Sequence, residues 1–185
     1  MVPVMHLRRI ILAVAIGGCS LFAGSCLAQS KEAIDANVEK ALQQFDVLDP
    51  KHESLVKSAA GVLVFPQVTK GGVAIAAEYG EGALKINGAT FAYYRLSSAS
   101  VGLTAGMATR SEIILFMTQE ALDKFMKSRG WSIGATSGIA VISKGAASDY
   151  DSNTLRKPIL GFVFGERGLI ADLSFEGSKI KKIEK

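Results

Sequence analysis

After residue 28 this chain contains one histidine, His52, and no cysteine, because His6, Cys19 and Cys26 all precede that point. A thiol nucleophile, a disulfide and a cysteine-ligated metal are therefore not expected in the folded part. Serines are common, but none stands in a GxSxG turn, and His52 has no second histidine to form a metal pair. It reads as a surface residue in the first turn of a helix. The carboxylates Glu78, Glu81, Glu112, Asp149 and Asp172 could meet in space as an acid–base pair, but almost any soluble domain offers as much. Asp149, Asp151 and Asn153 follow the order that opens a calcium loop. Thr154 then stands where that loop needs glycine and Leu160 where it needs glutamate, so the segment reads as a solvated loop. None of the glycines forms a GxGxxG or Walker pattern, so no phosphate cradle is expected. The expectation is a protein without catalytic residues, cofactor or metal, acting through its surfaces.

The first 28 residues read as an export leader. Arg8 and Arg9 precede the apolar run Ile10–Ile16, and small residues follow through Ala28. A membrane-spanning anchor is the competing reading, since a helix needs about 17–25 residues to cross. The glycines, serines and cysteines that interrupt the run favour removal. Phe22-Ala23-Gly24-Ser25-Cys26 resembles a bacterial lipobox, whose cysteine becomes the acylated first residue of the mature chain. Cys19, after Ile16-Gly17-Gly18, is an alternative, and plain cleavage after Ala28 is another. Leu27, rather than aspartate, after Cys26 suggests by resemblance an outer-membrane destination. The expected location is the bacterial cell envelope, on its periplasmic side, as a palmitate-bearing outer-membrane lipoprotein.

The formal charge of +4 is partly the leader's. Without residues 1–25 the 21 basic residues fall by Arg8 and Arg9 to 19, against 17 acidic, a balance of +2. Nucleic-acid binding wants a strongly basic domain, and none is expected here.

The elements that must carry any surface are legible in part. Ile34, Val38, Ala41, Phe45 and Leu48 recur at helical spacing over Ser30–Leu48. The polar side of that helix carries Lys31 and Lys40 against Glu32, Asp35, Glu39 and Asp46. A membrane-surface helix is normally basic there, so this one is expected to pack on the domain. Asp49 and Pro50 open a second helix through Ala60, with Leu55, Val56 and Ala59 inward. Val62–Phe65 reads as a strand ended by Pro66. Gly71–Arg95 reads as two or three short strands, broken at Gly80–Gly82 and at the Asn87-Gly88 turn. The centre of the chain is Ser97–Gly130: a glycine-bearing strand, the buried strand Glu112–Thr118, and a helix capped by Thr118. Ala121, Leu122, Phe125 and Met126 share its apolar face, and Gly130 ends it. Trp131–Ser143 reads as a further strand, Lys157–Phe175 as a hairpin turning at Gly165–Gly168, and Ser178–Lys185 as a lysine-rich sheet edge. The fold class is α+β, a β-rich single domain with two N-terminal helices and one internal helix packed on antiparallel sheet. The expected division is 1–28 leader (cut before Cys26 if acylated), 29–50 N-terminal helix and 51–185 domain.

Three segments resemble the SYLF family, also called the Ysc84-type actin-binding domain: Ala59–Pro66 (AAGVLVFP), Val101–Phe125, and Lys157–Ile183 with its core GERGLIADLSFEGSKI. The resemblance runs from about Lys51 to Ile183. It implies an α+β fold that binds phosphoinositide membranes and, in some eukaryotic relatives, actin; bacterial relatives are mostly short exported proteins regarded as lipid-binding. The chain departs from the family at Ala60, where a lysine is frequent, and at Thr104, where a glutamine is frequent. The expected partner is a phospholipid membrane or acidic lipid headgroups, with an envelope protein as the alternative. Candidate phosphate contacts are the basic residues flanking the strands: Lys70, Lys144, Arg156, Lys157, Lys179, Lys181 and Lys182.

Overall fold

The computed structural model describes residues 29–134, 138–143, 152–168 and 177–185. Helix α1 runs Lys31–Leu48, with Ser30 Oγ accepting from the Ala33 amide at 3.2 Å as its cap. Ile34, Val38, Ala41 and Phe45 are buried, as the spacing requires, whereas Leu48 is 47% exposed where the stripe runs past the sheet. Burying Ile34, Val38 and Phe45 stabilises the docked helix by about 1.5–3 kcal/mol each. Helix α2, Pro50–Ser58, begins with Asp49 Oδ1 accepting from the Lys51 amide at 2.8 Å. His52 is not on the surface. It is buried, stacked on Phe45 with ring centroids 3.8 Å apart, and its Nδ1 lies 2.7 Å from the Phe45 carbonyl oxygen. The short α1–α2 connection folds the first turn of α2 onto the end of α1, which converts a solvent position into a core one.

The expected string of short strands is in fact one long hairpin. Strand β1 spans Gly61–Ile86 and β2 spans Ala89–Phe116, joined at Asn87-Gly88 with φ of 51° and 79°. Pro66 does not end β1; the ladder passes it through a bulge between Phe65 and Val68. Fully extended, 26 residues would reach ~85 Å, far beyond the width of such a domain. The hairpin must therefore bend. It does so around Gly72–Ile75, where Ala74 has φ 64° and a second bulge interrupts the register. The bend lays the two halves of β1 against each other. Gly80 and Gly82 are the contact points, not breaks: a Cβ on Gly82 would run into the Val64 carbonyl oxygen and come 2.8 Å from Phe65 Cδ1.

The rest of the sheet grows on the outer edge of β2. Strand β3 is Trp131–Ser132, β4 Ile139–Ser143, β5 Ile159–Gly168 and β6 Lys179–Ile183. Strand β5 pairs antiparallel with residues 108–116 of β2 and β6 with residues 93–97; β3 flanks β6, and β4 runs parallel to β5. With the halves of β1 inside, β5 and β6 lie on the outer sides of the two halves of the hairpin. The segment expected as one strand over Trp131–Ser143 is thus two, and β5 continues through the expected turn at Gly165. The second arm of that expected hairpin, 169–176, lies outside the described residues, as do Asp149 and Asp151. Residues Ser152–Leu155 form a single helical turn, α4.

Each strand alternates between two cores. Leu63, Phe65, Leu84, Leu96, Ile114 and Phe116 meet helix α3, Gln119–Lys127, through its Leu122 and Phe125. Val62, Val64, Ile113, Leu115 and Phe162 meet α1 on the other face. Thr118 Oγ1 caps α3 on the Ala121 amide at 3.2 Å, as expected. The α+β class holds, with both N-terminal helices and the internal one packed on a curled, mostly antiparallel sheet.

Candidate functional site

Between the folded halves of the hairpin lies a buried ionic cluster. Glu112 is fully buried, and Lys70, Glu78 and Arg110 are each about 5% exposed. Arg110 Nε donates to Glu112 Oε1 at 2.7 Å, while Nη1 lies 2.9 Å from Glu78 Oε1 and Lys70 Nζ lies 3.7 Å from the same oxygen. Ser98 Oγ donates to Glu78 Oε2 at 2.6 Å. Two acids thus face two cations on adjacent strands. Burial pushes the Glu112 carboxyl up to about 7, although the Arg110 charge opposes it. Among the described residues, Glu78 Oε1, Arg110 Nη2 and Glu112 Oε2 have no well-aligned hydrogen-bond partner. The signal for this cluster was present: Arg110 and Glu112 stand two apart in a strand, hence on one face. What the sequence could not show is that this face turns inward.

A second ionic group sits three residues further along β1, at Glu81. Glu81 Oε1 accepts from Tyr79 Oη at 2.6 Å and lies 3.4 Å from Arg95 Nη2, and Glu81 Oε2 accepts from Lys185 Nζ at 2.7 Å. Lys185 Nζ also donates to the Gln29 carbonyl at 2.9 Å. Burial alone would raise the Glu81 pKa, but the Lys185 and Tyr79 hydrogen bonds outweigh it and hold the carboxyl below its usual range. This arrangement ties Gln29, which precedes α1, to the strand edge.

Of the candidate phosphate contacts, Lys179, Lys181 and Lys182 are exposed on β6 and have no ion-pair partner among the described residues. Arg156 and Lys157 are exposed before β5, on the other half of the hairpin. These two groups are therefore not one site. Lys70 is corrected: folding of the hairpin encloses it beside Glu78, so it is not on a free surface. Lys144, Cys19 and Cys26 lie outside the described residues. The bend leaves Val73, Ile75 and Met107 between 63% and 78% exposed, a small apolar patch. A cleft of about 510 Å³ between α1, α2 and the hairpin turn is lined by Leu42, Asp46, Val56 and Val62; its rim pairs Lys85 with Glu39. Among the described residues no group of three histidine, cysteine or acidic side chains is placed to hold a metal, and no helix is long and apolar enough to cross a membrane.

Buried charges hold the frame, and lysines without an ion-pair partner among the described residues line an edge. Residues 97–185 match the Ysc84 family model, described as Las17-binding protein actin regulator, in agreement with the resemblance to the SYLF family. The match spans β2 from Ser97 onward through β6, with α3, and leaves α1, α2 and β1 outside it, so Ala59–Pro66 contributes to the motif resemblance but not to the match. The family is one of binding domains rather than enzymes. Comparison with curated proteins gives no match.

Proposed function

We propose that this is a non-enzymatic, membrane-tethered domain of the bacterial envelope, acylated at Cys26 and binding anionic phospholipid surfaces. The single observation that carries the reading is the row of three exposed lysines on β6, each without an acidic partner among the described residues. Sheet edges need some charge to resist pairing with other chains, but three unpaired lysines in four residues also meet what a headgroup layer recognises. A tethered domain needs little affinity of its own, since the anchor keeps the surface at high effective concentration. The family description names a protein-binding actin regulator, and an exported chain has no evident actin to bind. The second reading, a protein–protein module, is favoured by the exposed apolar bend at Val73, Ile75 and Met107. Flotation of residues 29–185, without the anchor, on phosphatidylglycerol vesicles separates the two. The lipid reading expects binding at low salt that is lost in about 0.5 M salt, where the screening length is about 4 Å, and in the Lys179→Glu, Lys181→Glu, Lys182→Glu variant. No binding at low salt would favour the protein partner.

A further inference from the structure

We propose that the β6 edge is the side of the domain turned toward the bilayer, with anionic headgroups as its partner; this rests on the reading of Cys26 as the acylated residue. The orientation follows from where the chain leaves the fold. Gln29 is held by Lys185 Nζ on its carbonyl, and the same ammonium is locked to Glu81 in the strand that underlies the β6 end of the sheet. From Cys26 to Gln29 the chain can reach at most about 10 Å. An acyl chain in the membrane therefore brings Lys185 and its surroundings to about the Debye distance of the headgroups.

Two surfaces adjoin that exit. One is the start of α1, where Glu32, Asp35 and Glu39 outnumber Lys31 and the Lys85 paired with Glu39; the other is β6, with Lys179, Lys181 and Lys182 and no ion-pair partner for them among the described residues. An anionic surface repels the first and attracts the second, so the domain rolls about its short tether until β6 faces the lipid. Lys185 at the exit follows β6 by two residues, whereas Arg156 and Lys157 precede β5, which pairs with residues 108–116 of β2 rather than with 93–97.

The full acylated chain suits a labelling test, because no cysteine follows residue 26. Single cysteines at the exposed positions Glu184→Cys beside β6, Pro158→Cys before β5 and Ala36→Cys on α1 would carry a fluorophore. The protein is reconstituted in vesicles of phosphatidylglycerol and phosphatidylethanolamine with a quencher on the headgroups. Quenching at position 184 is expected to exceed that at 158 and 36 by at least about threefold, and in high salt to fall to that at 36, which adjoins the same exit. Replacing Lys179, Lys181 and Lys182 by glutamine in the same chain should likewise level positions 184 and 36 while the protein still floats with the vesicles. Equal quenching throughout, strongest quenching at 158 or 36, or a preference for 184 that survives the glutamine replacements would overturn the orientation while leaving the anchor intact. Failure of the parent chain to be acylated, or to float at all, would overturn the tethered reading itself.

Discussion

Arg110 is the side chain whose removal the fold should feel most. It stands between Glu78 and Glu112, and taking it away leaves two buried carboxylates with only Lys70 near them. Breaking such a group from one side typically costs about 3–5 kcal/mol, so Arg110→Met should lower the unfolding free energy from urea titration by that much near neutral pH. Glu112 adds a pH dependence of definite sign. Its carboxyl titrates at about 7 in the fold against an ordinary 4.5 in the open chain. Between those values the folded state keeps a proton that the unfolded state has lost, so this group's contribution to stability falls as pH rises through that window and is flat above it. The full swing is on the order of 3 kcal/mol. Glu112→Gln should remove that slope from a stability-versus-pH series; an unchanged slope would mean that Glu112 is not the group responsible. Glu81 acts in the opposite sense. Its lowered pKa adds stability at neutral pH that is lost on acidification through the folded value. At this scale the sequence was half legible. Arg110 and Glu112 share a strand face by spacing alone, whereas Lys70 looked like a flanking charge and His52 like a surface one. Both misreadings have the same cause: a distant segment folds over the residue, and local spacing carries no trace of it.

The long hairpin makes the elements interdependent, because the two halves of β1 are each other's packing partners. At Gly82 that packing leaves no room, since any side chain would meet the Val64 backbone rather than a movable rotamer. Gly82→Ala should therefore cost about 1–3 kcal/mol, read as a melting temperature lower by roughly 3–10 °C for a domain of this size. Gly71→Ala is the matched control. A Cβ there finds its nearest atom at 3.7 Å, ordinary contact, and the melting temperature should stay within about 2 °C. If both variants behaved alike, close approach at Gly82 would not be the reason for the glycine. The features that the sequence announced at this scale all depend on neighbouring residues: the Ser30, Asp49 and Thr118 caps, the Asn87-Gly88 turn, and the apolar stripe of α1. What it concealed was continuity. Glycines at positions 72, 80 and 82 and proline at 66 suggest ends of strands, but whether a strand ends or bends is decided by the partner across the ladder. Here that partner is β2 along the whole length, and it carries the chain through each interruption.

The molecule as a whole is a bent hairpin closed at one end by an ionic clasp. Lys185 joins the end of the last strand, the last third of β1 and Gln29 ahead of α1. The basic row on β6 was visible in the sequence as a lysine-rich edge, but the contact of the following Lys185 with Gln29 was not, since those two are 156 residues apart. Lys185→Gln tests the clasp directly. Glu81 keeps Tyr79 and Arg95 as partners, so the loss of global stability should be modest, about 1–2 kcal/mol rather than the full cost of an orphaned buried charge. The local effect should be larger than the global one. With its carbonyl released, Gln29 is held only by the start of α1, and a terminal segment without a tie opens at little cost. Hydrogen exchange over residues 29–35 should therefore quicken by about tenfold or more, while β2 and β5 keep their protection. Uniform loss of protection would mean that Lys185 serves the sheet as a whole. No change at residues 29–35 would mean that the start of α1 is held without it.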